Sequence, residues 1–328
     1  MFMENDELQN LGEFGLIQRI QQQAGTAEHL VKGIGDDCAI QRQQSGRELL
    51  TSTDLLIEGV HFNREWISME DLGHKSAAVN ISDIAAMGGE PKSLFLGVAI
   101  PAELPVADLE AFTRGFLAEI SEYGAVLAGG DTCRSLGPLM ISVTVQGEIE
   151  AGQAACRNGA AAGDAIYVSG TLGDSALALQ ELMADRQPPA ELLKRHNRPT
   201  ARIALGRQLV ENNQVSAMLD ISDGVLSDLG HILAASGVGA EIELAALPLS
   251  ETFKKALLNN PSLVDLALAG GEDYELLLTS AEHSLSDLTF VGAKLTKIGV
   301  LTSKSGLRVK DSDGCLYQCS RGGFDHFT

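Results

Sequence analysis

Six times along this chain an apolar or small-residue run gives way to a short segment carrying aspartate. The segments are Gly33-Ile34-Gly35-Asp36-Asp37, Ser52-Thr53-Asp54, Asn80-Ile81-Ser82-Asp83, Gly129-Gly130-Asp131, Asp220-Ile221-Ser222-Asp223-Gly224 and Gly270-Gly271-Glu272-Asp273. An apolar run that breaks at small residues is how a buried strand of an α/β protein delivers its end, where ligands collect. Taken singly, each segment is a turn in which aspartate bonds its own backbone. Taken together they constrain the chain much more. Glycine lets a backbone approach a ligand closely, and repeated carboxylates would repel a phosphate unless cations lay between them. The recurrence therefore points to a polynuclear Mg²⁺ and nucleotide site. Ser52, Thr53 and Asp54, placed after the apolar pair Leu49-Leu50 and so expected at a strand's end, form a hard-oxygen set suited to that ion.

Charge supports the same reading. The chain carries Asp+Glu 44 against Lys+Arg 24, a formal net charge of −20, which disfavours a nucleic-acid partner because phosphate binding needs a basic face. An acidic protein with an anionic substrate needs metal ions to mediate. No stretch approaches the roughly 18 apolar residues that would span a bilayer, so no membrane association is expected. The start, Met1-Phe2-Met3-Glu4-Asn5-Asp6-Glu7, is acidic where a signal peptide is basic, and the cysteines are scattered and odd in number. These features predict a cytoplasmic protein with reduced thiols.

Taken in order, apolar spacing predicts a helix over 11–23, a long helix over 69–87 that contains Asp83, a strand over 93–100 and a helix over 108–123. Strands over 125–128 and 139–149 follow. Strand, helix, strand, strand describes an α+β layer with one sheet face covered by helices. The Ala- and Gly-rich stretch from Ala151 divides the chain into domains 1–150 and 151–328. In the second half, strands are expected over 165–169, 240–244 and 274–279, with helices over 175–184, from about 200 to 212, and from 225 to about 235. Ala125 to Asp131 and Ala267 to Asp273 look alike, which suggests that the halves are distant copies. Arg157 stands out in the bland segment after the boundary, either as a surface charge or as a phosphate contact.

Other chemistries lack their residues. There is no Gly-x-x-x-x-Gly-Lys-[Ser/Thr] loop, no third glycine after Gly33-Ile34-Gly35 and no Gly-x-Ser-x-Gly elbow. A covalent nucleophile has no candidate.

The quoted segments, together with Gly12-Glu13-Phe14, Gly59-Val60-His61-Phe62, Lys75 to Gly88, Thr132, Tyr274-Glu275-Leu276 and Gly323-Phe324-Asp325-His326-Phe327, resemble thiamine-monophosphate kinases over essentially the whole chain. That family belongs with aminoimidazole ribonucleotide synthetase, selenophosphate synthetase and a hydrogenase maturation protein. The resemblance implies two α/β domains of the aminoimidazole ribonucleotide synthetase-like fold, with mixed sheets covered by helices. The N-terminal domain would bind ATP and Mg²⁺ and form a homodimer through its sheet, and the C-terminal domain would complete the substrate site. It also implies transfer of the ATP γ-phosphoryl group to thiamine monophosphate, giving thiamine diphosphate. Asp37, Ser52, Thr53, Asp54, Asp83, Asp131, Asp220 and Asp223 match the family's Mg²⁺ ligands. Gly130, Asp131, Arg157 and Ser222 match its ATP contacts, and His61, Glu272 and Phe324 its acceptor contacts. Phe324 stands where the family has tyrosine or tryptophan, so it keeps a stacking face and loses a polar handle. No side-chain base is implied, since the acceptor is already an anionic phosphate. Two alternatives are another ATP-dependent enzyme of this superfamily (selenophosphate synthetase-like or amidine-forming) and a non-enzymatic divalent-cation-binding protein.

Overall fold

The computed structural model describes residues 8–34, 39–281, 283 and 285–322. Packing divides the chain into two compact units, Met1–Ile84 with Glu90–Gly152, and Ala85–Gly89 with Gln153–Thr328.

The first unit contains α1 (Leu8–Gln23), β1 (Leu30–Lys32), β2 (Ile40–Gln41), β3 (Arg47–Ile57), α2 (Met69–Ala86), β4 (Glu90–Pro101), α3 (Val106–Glu122), β5 (Val126–Ser135) and β6 (Met140–Glu150). Its main sheet among the described residues has the order β3-β6-β4-β5. Strands β4 and β5 run parallel, joined through α3, and β6 pairs antiparallel with both β3 and β4. Leu94, Leu96, Ile141, Val143 and Val145 form the buried side of this sheet. α3 buries Val106, Leu109, Phe112, Phe116 and Ile120, a three-and-four spacing that puts one stripe on the core, and Phe112 stacks on Phe116 at 6.2 Å. α2 is different, with Leu72, Lys75, Ala77, Ala78, Val79, Asn80, Ile81 and Ser82 all buried, so little of it faces water.

Three of the expected turns are not turns. β3 does not end at Ser52, because its pairing with β6 runs unbroken from Arg47↔Glu150 to Ile57↔Met140. Thr51-Ser52-Thr53 fits a pleated surface, and a full-length partner strand overrides the local turn signal. β5 likewise carries straight through Gly129-Gly130-Asp131, with a register irregularity between Leu94 and Phe95 of β4. The third segment, Asn80 to Asp83, lies inside α2, as the helix expected over 69–87 required, and the helix continues to Ala86.

The second unit contains β7 (Ala165–Ser169), α4 (Asp174–Met183), α5 (Ala190–Asn197), α6 (Ile203–Glu211), β8 (Ala217–Asp220), α7 (Val225–Ser236), β9 (Gly239–Glu243), α8 (Glu251–Asn259), α9 (Val264–Ala269), β10 (Leu276–Ser280), β11 (Leu295–Thr302), β12 (Gly306–Lys310) and β13 (Leu316–Tyr317). Among the described residues its sheet has the order β13-β12-β9-β11-β7-β10-β8, mixed because β12 and β9 are parallel and the other neighbours antiparallel. Every residue of the central strands β7 and β10 is buried. That is why Ala-Ile-Tyr-Val and Leu-Leu-Leu read as continuous apolar runs without alternation. The core continues into Leu177, Leu229, Ile232, Phe253 and Leu266 of the covering helices.

The proposed internal copy fails here. Val126 to Ala128 form a strand, whereas Val264–Ala269, just before the second Gly-Gly, is a helix. Short sequence likeness did not carry a shared backbone.

Candidate active site

In the first unit, strand parity decides which groups meet. Ser52 and Asp54 share strand parity with the buried Leu50 and Leu56, so they face the helical layer. There the Ser52 hydroxyl donates to Asp83 Oδ2 of α2 at 2.5 Å. Burial pushes the Asp54 carboxyl up to about 6, and the nearby Asp83 charge pushes in the same direction. A hydroxyl and two mutually repelling carboxylates thus converge between β3 and α2. The expected third member does not join them through its side chain. Thr53 is exposed on the opposite face, where its hydroxyl donates to the Val143 carbonyl at 3.0 Å.

Asp131 also lies away from this group. Leu55, Ser142, Gly97 and Asp131 are successive cross-strand partners and therefore share one face, the one on which Leu55 is exposed. Asp131 is exposed there, opposite to Asp54. Gly130 beside it has a steric reason to be glycine, since a Cβ would lie 2.0 Å from the Leu96 carbonyl oxygen.

His61 is placed by the loop after β3. Gly59 N–H donates to the Phe62 carbonyl and His61 N–H to the Ile57 carbonyl. The Ile57 N–H donates to His61 Nδ1 at 3.0 Å, which places the proton of a neutral ring on Nε2. The adjoining Glu58 would be raised by burial, but Arg64 at 2.6 Å and the Leu139 N–H together hold its carboxyl below the usual range.

In the second unit, two acidic segments lock together. Glu272 N–H donates to the Ser222 carbonyl, Tyr274 N–H to the Ile221 carbonyl and Ile221 N–H to the Glu275 carbonyl. A Cβ on Gly271 would lie 2.3 Å from the Ser222 carbonyl oxygen, so glycine here serves backbone-to-backbone packing. Asp220 closes β8 and is buried, and Asp223 is half-buried with its N–H donating to Asp228 Oδ2 at 3.1 Å. Burial pushes the Asp228 carboxyl up to about 7. Arg157 is exposed, and its backbone carbonyl accepts from the Ser236 hydroxyl.

Around Glu272 stand residues that sequence reasoning missed. His196 of α5 is buried, with Nδ1 3.4 Å from Glu272 Oε2 and 2.9 Å from the Ser175 hydroxyl. Glu275 is buried against Arg195 at 2.6 Å, Arg202 and the Ser169 hydroxyl at 2.5 Å. Burial alone would raise Glu275, but the two arginines outweigh it and hold the carboxyl below the usual range. The only warning in the sequence was an acidic residue directly before the apolar run Leu276-Leu277-Leu278.

Among the described residues no three His, Cys, Asp or Glu side chains converge closely enough to hold a metal by themselves. Asp37 and Phe324 lie outside the described residues.

The sequence matches the family profile "AIR synthase related protein, N-terminal domain" over residues 35–149 and "AIR synthase related protein, C-terminal domain" over residues 161–312. The thiamine-monophosphate kinase of Salmonella typhimurium is 41% identical over 97% of this chain and 98% of its own. A crystal structure of thiamine-monophosphate kinase from Stenotrophomonas maltophilia superposes with a TM-score of 0.81 at 38% identity, covering 92% of this chain and 97% of the other. AaThiL complexed with AMPPCP and TMP superposes with a TM-score of 0.78 at 35% identity, over 99% and 100% of the two chains. The chain therefore belongs to the thiamine-monophosphate kinase family of the AIR synthase related proteins.

Proposed function

We propose that the protein transfers the γ-phosphoryl group of ATP to thiamine monophosphate, giving thiamine diphosphate. Full-length relationship to thiamine-monophosphate kinases carries this reading, with a relative of 35% identity bound to AMPPCP and TMP. The competing superfamily chemistries have no comparable support. The test is to mix the protein with ATP, Mg²⁺ and thiamine monophosphate and identify the products. ADP with thiamine diphosphate is expected, whereas ATP hydrolysis with unchanged acceptor, or no ATP consumption, would sink the reading.

Mg²⁺ is the metal this reading requires, and the donor set in the first unit suits it. Ser52, Asp54 and Asp83 offer hard oxygens, and the two carboxylates oppose each other across a half-buried space, a cost that a divalent cation would relieve. One or two protein carboxylates per ion, completed by phosphate and water, is ordinary for Mg²⁺, so the lack of a three-carboxylate cluster is no obstacle. When bound, the metal would neutralise the approaching phosphates. On the resemblance, we take Asp37, Thr53, Asp131, Asp220 and Asp223 as further metal contacts. Gly130, Asp131, Arg157 and Ser222 are assigned to ATP on the same ground, and His61, Glu272 and Phe324 to the acceptor. The chain's own work is to bind and orient, since an anionic phosphate oxygen needs no strong base.

The N-terminal unit is proposed to bind ATP and to dimerise, and the C-terminal unit to carry the acceptor residue Glu272. The outward sheet face supports a homodimer. Leu49 and Leu55 of β3 are 49% and 55% exposed on it, beside Thr51, Thr53 and Thr144. We also read the protein as cytoplasmic. Cys133, Cys156, Cys315 and Cys319 are free thiols, and no helix among the described residues is long and apolar enough to cross a membrane.

A further inference from the structure

The segment Glu272-Asp273-Tyr274 is held in an unfavourable backbone form. Glu272 has φ 67° and Tyr274 φ 49°, left-handed values that a non-glycine residue keeps only where the surroundings impose them. Between them, Asp273 turns its side chain inward and is buried. Its Oδ2 accepts the Gly173 N–H at 2.8 Å, at the start of α4, and its Oδ1 is buried without a hydrogen-bond partner. On the next residue but one, Glu275 is clamped by Arg195 and Arg202. The Glu272 carboxylate is half-buried beside His196.

We infer that Asp273 is a positioning residue for the phosphoryl acceptor: by tying the loop to Gly173 it keeps Glu272 and Tyr274 left-handed, and so sets where the Glu272 carboxylate meets the acceptor. This rests on the acceptor role proposed for Glu272. Burial pushes the Asp273 carboxyl up to about 8, while the Gly173 N–H and Arg195 favour its charged form. The charged groups facing it are Arg195 from α5, Asp174 from α4 and Glu275 from its own loop. The Gly173 N–H bond itself favours the carboxylate, so the tether does not depend on the acid staying protonated.

Steady-state kinetics of the full chain test this with Asp273→Ala, Asp273→Asn and Glu272→Gln. Asp273→Ala should raise the KM for thiamine monophosphate ~10-fold, the rate equivalent of about 1.4 kcal/mol of released backbone constraint, with little change in the KM for ATP. Asp273→Asn, which keeps an acceptor for the Gly173 N–H and carries no charge, should recover most of that loss. The inference is overturned if Glu272→Gln raises the acceptor KM but Asp273→Ala does not, or if both substrates' KM values rise together. It is equally overturned if Asp273→Asn raises the acceptor KM as far as Asp273→Ala does, or, should Asp273→Ala fail to fold, as far as Glu272→Gln does. If Glu272→Gln itself leaves the acceptor KM unmoved, the acceptor reading has failed instead, and the inference falls with it.

Discussion

The acidic residues of the two units look interchangeable in sequence and do opposite physical work. Between β3 and α2, Asp54 and Asp83 repel each other, and Asp54 is half-buried with a raised pKa. Around β10, Glu275 is fully buried yet more acidic than usual, because Arg195 and Arg202 stand against it. The first arrangement destabilises the protein until something positive arrives. The second completes itself. A carboxyl raised by burial beside another carboxylate, as Asp54 is, points to ligand binding better than a buried carboxylate held down by arginines, since the paired one has already spent its charge.

This contrast predicts that substitutions in the two places separate activity from stability. The largest effect is expected in the first unit. Asp54→Asn or Asp83→Asn should lower kcat on the order of 100-fold or more, because each keeps volume and removes the charge that would hold Mg²⁺ between phosphates. The fold should stay intact by circular dichroism, and added Mg²⁺ should partly restore turnover. A folded Asp54→Asn enzyme with near-normal kcat at low Mg²⁺ would break the comparison.

In the second unit the loss should be of stability. Glu275→Ala leaves Arg195 and Arg202 without their shared partner and should cost roughly 3–5 kcal/mol in urea unfolding. Asp54→Asn, by removing a repulsion, should leave the metal-free protein as stable as before or more so. If both variants lost stability equally, the distinction between the two carboxylate groups would be wrong.

The smallest effect is on pH dependence, and its sign differs between the two. Asp54 is raised above its ordinary value, so its contribution is fully present below about pH 4 and is lost as pH rises through about 6. Glu275 is lowered, so its contribution is present above the ordinary glutamate range and is lost as pH falls through its folded pKa. Melting curves without metal should therefore show Asp54→Asn flattening the decline toward neutral pH by a few degrees. Glu275→Gln should instead remove a decline on the acid side. Parallel pH profiles for the two variants would contradict both assignments.

Much of the fold was legible. The order strand, helix, strand, strand appears as β4, α3, β5 and β6, and the apolar runs at Ala165–Ser169 and Leu276–Ser280 are strands buried on both faces. Both signals are local, since periodicity and apolar length depend only on neighbours in the chain. The site was legible in part. Ser52, Asp54 and Asp83 meet, whereas Thr53 and Asp131 face the other way, because one residue of strand parity reverses a side chain. Asp273 and Glu275 stood in a recognised segment without a readable role, and Arg195 and His196 gave no usable signal, as Leu-Lys-Arg-His in α5 reads as an ordinary polar helix end.

Sequence by itself determined the stock of parts: an acidic, glycine-rich α/β chain with oxygen ligands in repeated short segments and a family resemblance along its whole length. Tertiary structure decided what each segment is. Gly129-Gly130-Asp131 became strand because β4 lies alongside, so close that Gly130 cannot carry a side chain against Leu96. Gly270-Gly271-Glu272-Asp273 became a left-handed loop after a helix because the Ile221 and Ser222 carbonyls and the Gly173 N–H hold it there. Two nearly identical peptides have nearly identical local preferences, and differences of that size are smaller than the free energy of the backbone hydrogen bonds and packing supplied from far along the chain.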